Sequence, residues 1–316
     1  MSGYPTQHRR ASYAAPAGVT RPVTLPSGIA DIRALPDSEF SELWDSIIID
    51  QREKDRLLAQ SLFSFTVRER VSRAVLPLHG IMLLVGPPGT GKTSLAKGLA
   101  SRTAEVFGGQ NFTFIEVDPH ALSSSALGKS QKAVTDLFGN TIREHAANGP
   151  TIVLLDEVET LVADRSQLSL EANPVDVLRA TDAALVQLDH FAASATNVLF
   201  VATSNFPRAL DDAFVSRADV VISVPLPDPT GRQRILADTL RGFGGVFSAV
   251  GKLADSARLG EVVRATEGLD GRVLRKLVGS ACALDKDTAL DPNRLTIEML
   301  ISAAKAISAS QREARK

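Results

Sequence analysis

Gly86-Pro87-Pro88-Gly89-Thr90-Gly91-Lys92-Thr93 is the stretch that decides the fold. The apolar run Ile81-Met82-Leu83-Leu84-Val85 precedes it, and Ser94-Leu95-Ala96-Lys97-Gly98-Leu99-Ala100, with helical spacing, follows. Buried strand, glycine turn and helix in that order are the context of a phosphate-binding loop. Glycines let the backbone curl until successive N–H groups aim at one anion, and the helix adds the positive end of its dipole. Gly86, Pro87, Pro88, Gly89, Thr90, Gly91, Lys92, Thr93 and Ser94 are therefore assigned to nucleotide binding. Lys92 is expected at the β- and γ-phosphates of ATP and the Thr93 hydroxyl on Mg²⁺.

Further apolar segments extend this unit. Asn111-Phe112-Thr113-Phe114-Ile115-Glu116-Val117 alternates like a strand, and Thr151-Ile152-Val153-Leu154-Leu155 reads as a buried one. Val198-Leu199-Phe200-Val201-Ala202-Thr203 and Val220-Val221-Ile222-Ser223-Val224 read likewise. Helical patterns lie between them, at 130–147 and about 174–191, which implies a parallel sheet covered on both faces. Such a sheet binds its ligand at the carboxyl ends of its strands. Upstream, Asp37 caps a helix carrying Phe40, Leu43, Trp44, Ile47 and Ile48 on one face, and a charged amphipathic stretch runs on to Val71. Residues 1–36, rich in Pro, Ala, Ser and Arg without periodicity, read as a flexible arm. After the stiff Pro225-Leu226-Pro227-Asp228-Pro229 run only helical patterns remain. The expected organisation is an arm (1–36), a large α/β domain (37–228) and a small helical domain (229–316).

Composition narrows the function. The net charge is −1 and the isoelectric point ≈ 6.5, so no global field draws the chain to nucleic acid or an anionic membrane. A single cysteine, Cys282, rules out an internal disulfide and fits a reducing cytosol. No apolar run approaches the roughly 20 residues that span a bilayer.

Chemistry gathers at the strand ends. Asp156-Glu157 closes a run of buried aliphatics. Asp156 is expected to hold Mg²⁺ and Glu157 to polarise the attacking water. Asn205, ending Thr203-Ser204-Asn205, is placed to orient water against the γ-phosphate. Arg217, in Ala213-Phe214-Val215-Ser216-Arg217-Ala218-Asp219, suits transition-state charge; the bland alternative is a surface pair with Asp219. Arg272 begins a helix in Leu269-Asp270-Gly271-Arg272, against the macrodipole. Contact with phosphate across the domain cleft explains it, and a salt bridge to Asp270 or Glu267 explains it equally.

Together these residues resemble the AAA+ ATPases. Phe214-Val215-Ser216-Arg217-Ala218-Asp219 and Gly271-Arg272-Val273-Leu274-Arg275-Lys276-Leu277 look most like the pachytene checkpoint (thyroid receptor-interacting protein) remodellers. The resemblance implies an αβα P-loop ATPase domain with a C-terminal helical lid, assembled as a homo-hexamer with ATP and Mg²⁺ at subunit interfaces. It implies that Arg217 acts in trans, that Arg272 is sensor 2, and that Ile48 and Ile49 cradle adenine through backbone. It further implies a HORMA-domain protein substrate. In bacterial relatives that substrate comes with a cyclic-oligonucleotide synthase, in anti-phage CBASS systems that the remodeller negatively regulates.

Two departures shape the expectation. Only the short arm precedes the ATPase, where eukaryotic members carry a folded adaptor-binding domain; this favours the bacterial branch. The pore loop usually presents an aromatic pair, but Ser123-Ser124-Ser125-Ala126-Leu127-Gly128 stands there, so Ala126 and Leu127 are the expected grip. Alternatively, Leu127 packs under its own helix. Rival functions are a DNA-directed motor or loader, disfavoured by the missing basic stripe, and a nucleotide-gated scaffold without turnover, disfavoured by Glu157 and Arg217.

Overall fold

The computed structural model describes residues 25–108, 111–119, 122, 130–163 and 174–314. The expected pore-loop residues Ala126 and Leu127 lie outside the described residues.

A six-stranded sheet forms the frame, in the order β1-β3-β4-β5-β2-β6. Its strands are β1 (Ile29–Leu35), β2 (Ile81–Val85), β3 (Phe112–Val117), β4 (Thr151–Leu155), β5 (Val198–Ser204) and β6 (Val220–Ser223). From β3 across to β6 every neighbouring pair is parallel. The first strand corrects the sequence reading. Residues 29–35, assigned to a flexible arm, pair antiparallel with β3, from Ile29 opposite Val117 to Leu35 opposite Phe112. The sheet is thus mixed, with one antiparallel edge.

Alternation along the strands divides the core. Ile81, Leu83, Ile115, Val153 and Phe200 face one side, where they pack with Phe138 and Phe191. Those aromatics come from α4, which runs from Ser130–Asp136 through a π-helical turn (Leu137–Ile142) into Arg143–Asn148, and from α5 (Pro174–Ser194). Met82, Leu84, Phe114, Leu154 and Val201 face the other side. There they meet Phe40 and Trp44 of α1 (Ser38–Ser46), Leu57 of α2 (Gln51–Arg68) and Leu95 and Leu99 of α3 (Lys92–Val106). Gly98 allows α3 to cross α1 closely: a Cβ there would fall 2.6–2.8 Å from Trp44 Cβ, Cα and N.

After a short helix α6 (Asp212–Val215) and β6, the remaining chain is helical and owns a separate core. It comprises α7 (Pro229–Gly244), α8 (Ser248–Lys252), α9 (Leu259–Ala265), α10 (Gly271–Cys282), α11 (Lys286–Leu290) and α12 (Ile297–Ala314). Leu236, Leu240, Val262, Leu274, Leu277 and Leu300 fill that core at 2% exposure or less. Pro229, read as linker, is the first residue of α7, capped by Asp228 accepting from Gly231 N–H. Among the described residues no helix is long and apolar enough to cross a membrane.

Candidate nucleotide site

β2 delivers the chain to the sheet's carboxyl edge, where Gly86 N–H donates to Ser204 O at 3.2 Å. The loop then turns into α3 through Gly91, a left-handed N-cap with φ 93° and no side-chain cap. Aspartates cap α1, α2, α6, α7, α10 and α11 instead. The first N–H groups of α3 therefore lack the side-chain oxygen those helices supply, and its first turn has no acid. A helix start of this kind fits an anion. Gly89 (φ +79°) is packed under the helical unit: a Cβ there would stand 2.3 Å from Asp270 Oδ1.

Lys92 is buried, and its ammonium donates to Gly86 O (2.8 Å), Pro87 O (2.9 Å) and Asn205 Oδ1 (2.7 Å). Burial pushes its pKa down; Glu159, Asp156 and Glu157 oppose that, while Arg272 adds to it. Thr90 Oγ1 closes the loop on Pro87 O at 3.0 Å. The exposed Pro87 and Pro88 form the outer turn.

Strand register assembles the acids. Leu155 pairs with Ala202, so Asp156 and Thr203 emerge side by side from β4 and β5. Asp156 Oδ1 accepts from Thr93 Oγ1 at 2.8 Å and, in a short bond, from Thr203 Oγ1. Glu157 takes a left-handed backbone (φ 49°, ψ 50°), held by Thr203 Oγ1 accepting its N–H at 3.1 Å. That conformation in a non-glycine residue costs about 1–3 kcal/mol and clusters at functional sites. It leaves the Glu157 carboxylate exposed, accepting from Asn205 Nδ2 at 3.2 Å. The Asn205 amide thus bridges Lys92 and Glu157.

A cleft of ≈ 390 Å³ opens between this loop and the helical unit. Ile47, Ile48, Thr90, Ser94, Arg272 and Arg275 are among the residues lining it. Ile48, expected at the adenine, lines this cleft. Ile49 packs towards the sheet core and lines the neighbouring groove, and Ile47 shares the cleft with Ile48. Arg272 N–H donates to Gly89 O at 3.2 Å, so α10 docks on the phosphate loop. The bland pairing of Arg272 is not formed: among the described residues it makes no ion pair, and Asp270 accepts from Val273 N–H as the cap. Arg275 Nη2 donates to Ser46 O at 2.5 Å across the cleft mouth.

Arg217 does not join this group. Its Nε and Nη2 donate to the two oxygens of Asp189, each at 2.8 Å. The alternative partner Asp219 instead accepts backbone N–H groups from His79, Gly80 and Ile81. Asp219 N–H donates to Ile81 O, at the amino end of β2. Arg217 therefore lies at the far end of the sheet from its own phosphate loop, separated by β2, about 16 Å at 3.3 Å per residue.

Thr203, Glu159, Ile47 and Arg275 join the site without having been singled out. Of these, only the spacing Asp156-Glu157-Val158-Glu159 signals its extra residue in the sequence.

The donor set fits a hard cation. Thr93 Oγ1 and Asp156 supply oxygen, and among the described residues no cluster of three or more His, Cys, Asp or Glu makes a self-sufficient metal site. A donor set with one or two protein oxygens is of the kind that would hold Mg²⁺.

Comparison with known proteins places the chain in a family and a fold. Residues 82–226 match the model of the ATPase family associated with various cellular activities (AAA). The chain is 57% identical over 280 residues to CD-NTase-associated protein 6 of Pseudomonas aeruginosa, covering 89% of this chain and 92% of that one. It is 35% identical to the pachytene checkpoint protein 2 homolog of Xenopus tropicalis, covering 79% of this chain and 63% of the relative's length. Among solved structures, C. elegans PCH-2 superposes with TM-score 0.72 at 26% identity, over 88% of this chain and 75% of that one. A chain of an E. coli HORMA:CdnC:Trip13 complex gives 0.70 at 19% identity, over 88% and 95%, a likeness of fold. A relative matched at 57% identity over nearly its full length fixes the assignment: the chain belongs to the CD-NTase-associated protein 6 branch of the AAA ATPase family.

Proposed function

We propose that the protein hydrolyses ATP with Mg²⁺ in a ring of six copies and uses the cycle to remodel a HORMA-domain protein. The reading continues that remodelling separates the HORMA protein from a cyclic-oligonucleotide synthase and so turns anti-phage CBASS signalling down. The observation that carries the hydrolytic half is the Asn205 amide spanning Lys92 and Glu157 at 2.7 and 3.2 Å. One end of that bridge faces the phosphates and the other the base. The substrate half is supported by the 57% identity to a CD-NTase-associated protein and by a shared fold with a chain of the HORMA:CdnC:Trip13 complex.

Each residue has a task in this reading. The uncapped start of α3 and Lys92 bind the phosphates, and Arg272 reaches them from the lid. Thr93 and Asp156 would hold Mg²⁺, which would neutralise charge developing on the phosphates. Glu157 takes a proton from the attacking water that Asn205 orients. Arg217, remote from its own loop, serves the nucleotide of the next subunit. Ala126 and Leu127 remain the proposed grip on the substrate.

The test uses a HORMA protein bound to its nucleotidyltransferase. ATP and the wild-type chain are expected to release the HORMA protein and lower synthesis of the cyclic oligonucleotide. Glu157→Gln should bind the complex without releasing it. A complex that survives continuous ATP turnover would remove the remodelling assignment while leaving the ATPase intact.

A further inference from the structure

Glu159 has no part in the reading above, yet it touches the centre of the site. It lies in the 3-10 turn Val158–Thr160 that follows the two acids. Its Oε1 accepts the Asn205 backbone N–H at 3.0 Å. Asn205 is the first residue beyond β5, so that amide has left the strand ladder and Glu159 supplies its acceptor. The other oxygen, Oε2, is buried without a hydrogen-bond partner among the described residues. Burying a carboxylate oxygen unpaired is unfavourable, and such groups in native proteins ask for a use.

Two torsions separate the Asn205 backbone from its amide. With the backbone N–H fixed, few placements of the amide remain, and the one adopted meets Lys92 Nζ and Glu157 Oε1. We propose that Glu159 is a positioning residue: by holding the Asn205 backbone N–H it sets the Asn205 amide between Lys92 and the catalytic base. The inference rests on the hydrolytic reading above. A competing account lets Glu159 act through charge alone, since it is the foremost carboxylate influence on Lys92.

Size and charge separate the two accounts. Gln keeps the length and an acceptor oxygen but loses the charge; Asp keeps the charge but is one methylene short. Loss of a hydrogen bond to a charged group is worth about tenfold or more in rate. Glu159→Ala and Glu159→Asp are therefore expected to lower kcat by about tenfold or more, and Glu159→Gln to recover most of the loss. In a Glu157→Gln background, where turnover is blocked, Glu159→Ala should narrow the preference for ATP over ADP, and Glu159→Gln in its place should keep it.

Where the wild-type chain turns over, three results overturn the proposal. An active Asp variant beside an inactive Gln variant assigns the role to charge. Three variants with wild-type kcat leave Glu159 no role. Joint loss of kcat, nucleotide binding and melting temperature in the Ala variant makes it a folding residue. A wild-type chain without turnover would sink the hydrolytic reading instead, and the ATP-over-ADP preference would still decide on Glu159, an unchanged preference overturning it.

Discussion

In the proposed reading Glu157 and Lys92 do opposite kinds of work, and their substitutions separate accordingly. Glu157 sits on a strained backbone that aims its carboxylate outward, and Gln has the same shape. Glu157→Gln should therefore bind ATP as the wild type does while turnover drops by about 10²–10⁴, the usual worth of a positioned base. Single-turnover hydrolysis beside binding of a fluorescent ATP analogue measures both. Lys92→Ala removes the ammonium and also strands Gly86 O, Pro87 O and Asn205 Oδ1 without their donor. It should abolish binding in the same assay. These residues are legible in sequence because the loop and the strand-ending acids fix their own geometry locally. Thr203 is not, since its bond to Asp156 arises from the β4–β5 register, which no local pattern encodes. Glu159 is half legible: its place beside the acids is visible, but its hold on Asn205 comes from a residue 46 positions away.

At the scale of elements, the helices and parallel strands follow from their periodicity, and the edge strand β1 does not. Buried residues stand only at its ends, Ile29 and Leu35, with Asp31 and Arg33 between. Charged side chains keep an edge strand from pairing with other chains, and the same charges make it read as a tail. A chain beginning at Leu25 should therefore melt well above one beginning at Pro36. The shorter form forfeits about 1.5–3 kcal/mol for each of the two buried side chains, besides the ladder to β3. Thermal melts of the two forms check this; equal melting temperatures would return residues 29–35 to the arm. The α1–α3 crossing gives a second prediction. Ala normally improves a helix interior over Gly by about 1 kcal/mol. Here the added Cβ meets the Trp44 backbone and cannot be relieved by a rotamer change. Overpacking of this kind costs about 1–3 kcal/mol, so Gly98→Ala should destabilise the fold in a denaturant titration.

For the whole molecule, the placement of Arg217 bears on the proposal that two subunits make one active site. The sequence presents Arg217 as a cation near phosphate chemistry, with Asp219 as its ordinary partner. The fold gives Asp219 to three backbone amides and Arg217 to Asp189, at the amino end of the sheet. The phosphate loop occupies the other end, out of reach of any side chain from Arg217. In the proposed trans reading, a guanidinium so placed serves a nucleotide held by another copy, and the complete site is then a property of the assembly. An arginine supplied to phosphoryl transfer is worth about 10³–10⁵ in rate, so Arg217→Ala should be nearly inactive while binding ATP normally. Mixing it with Lys92→Ala subunits tests the geometry, because neither mutant hydrolyses alone. Where an Arg217→Ala subunit presents its intact loop to a Lys92→Ala neighbour, that neighbour's Arg217 completes the site, and part of the activity should return in proportion to such interfaces. If fluorescence exchange shows that subunits mix and no activity returns, Arg217 is a structural partner of Asp189 and the trans role is lost.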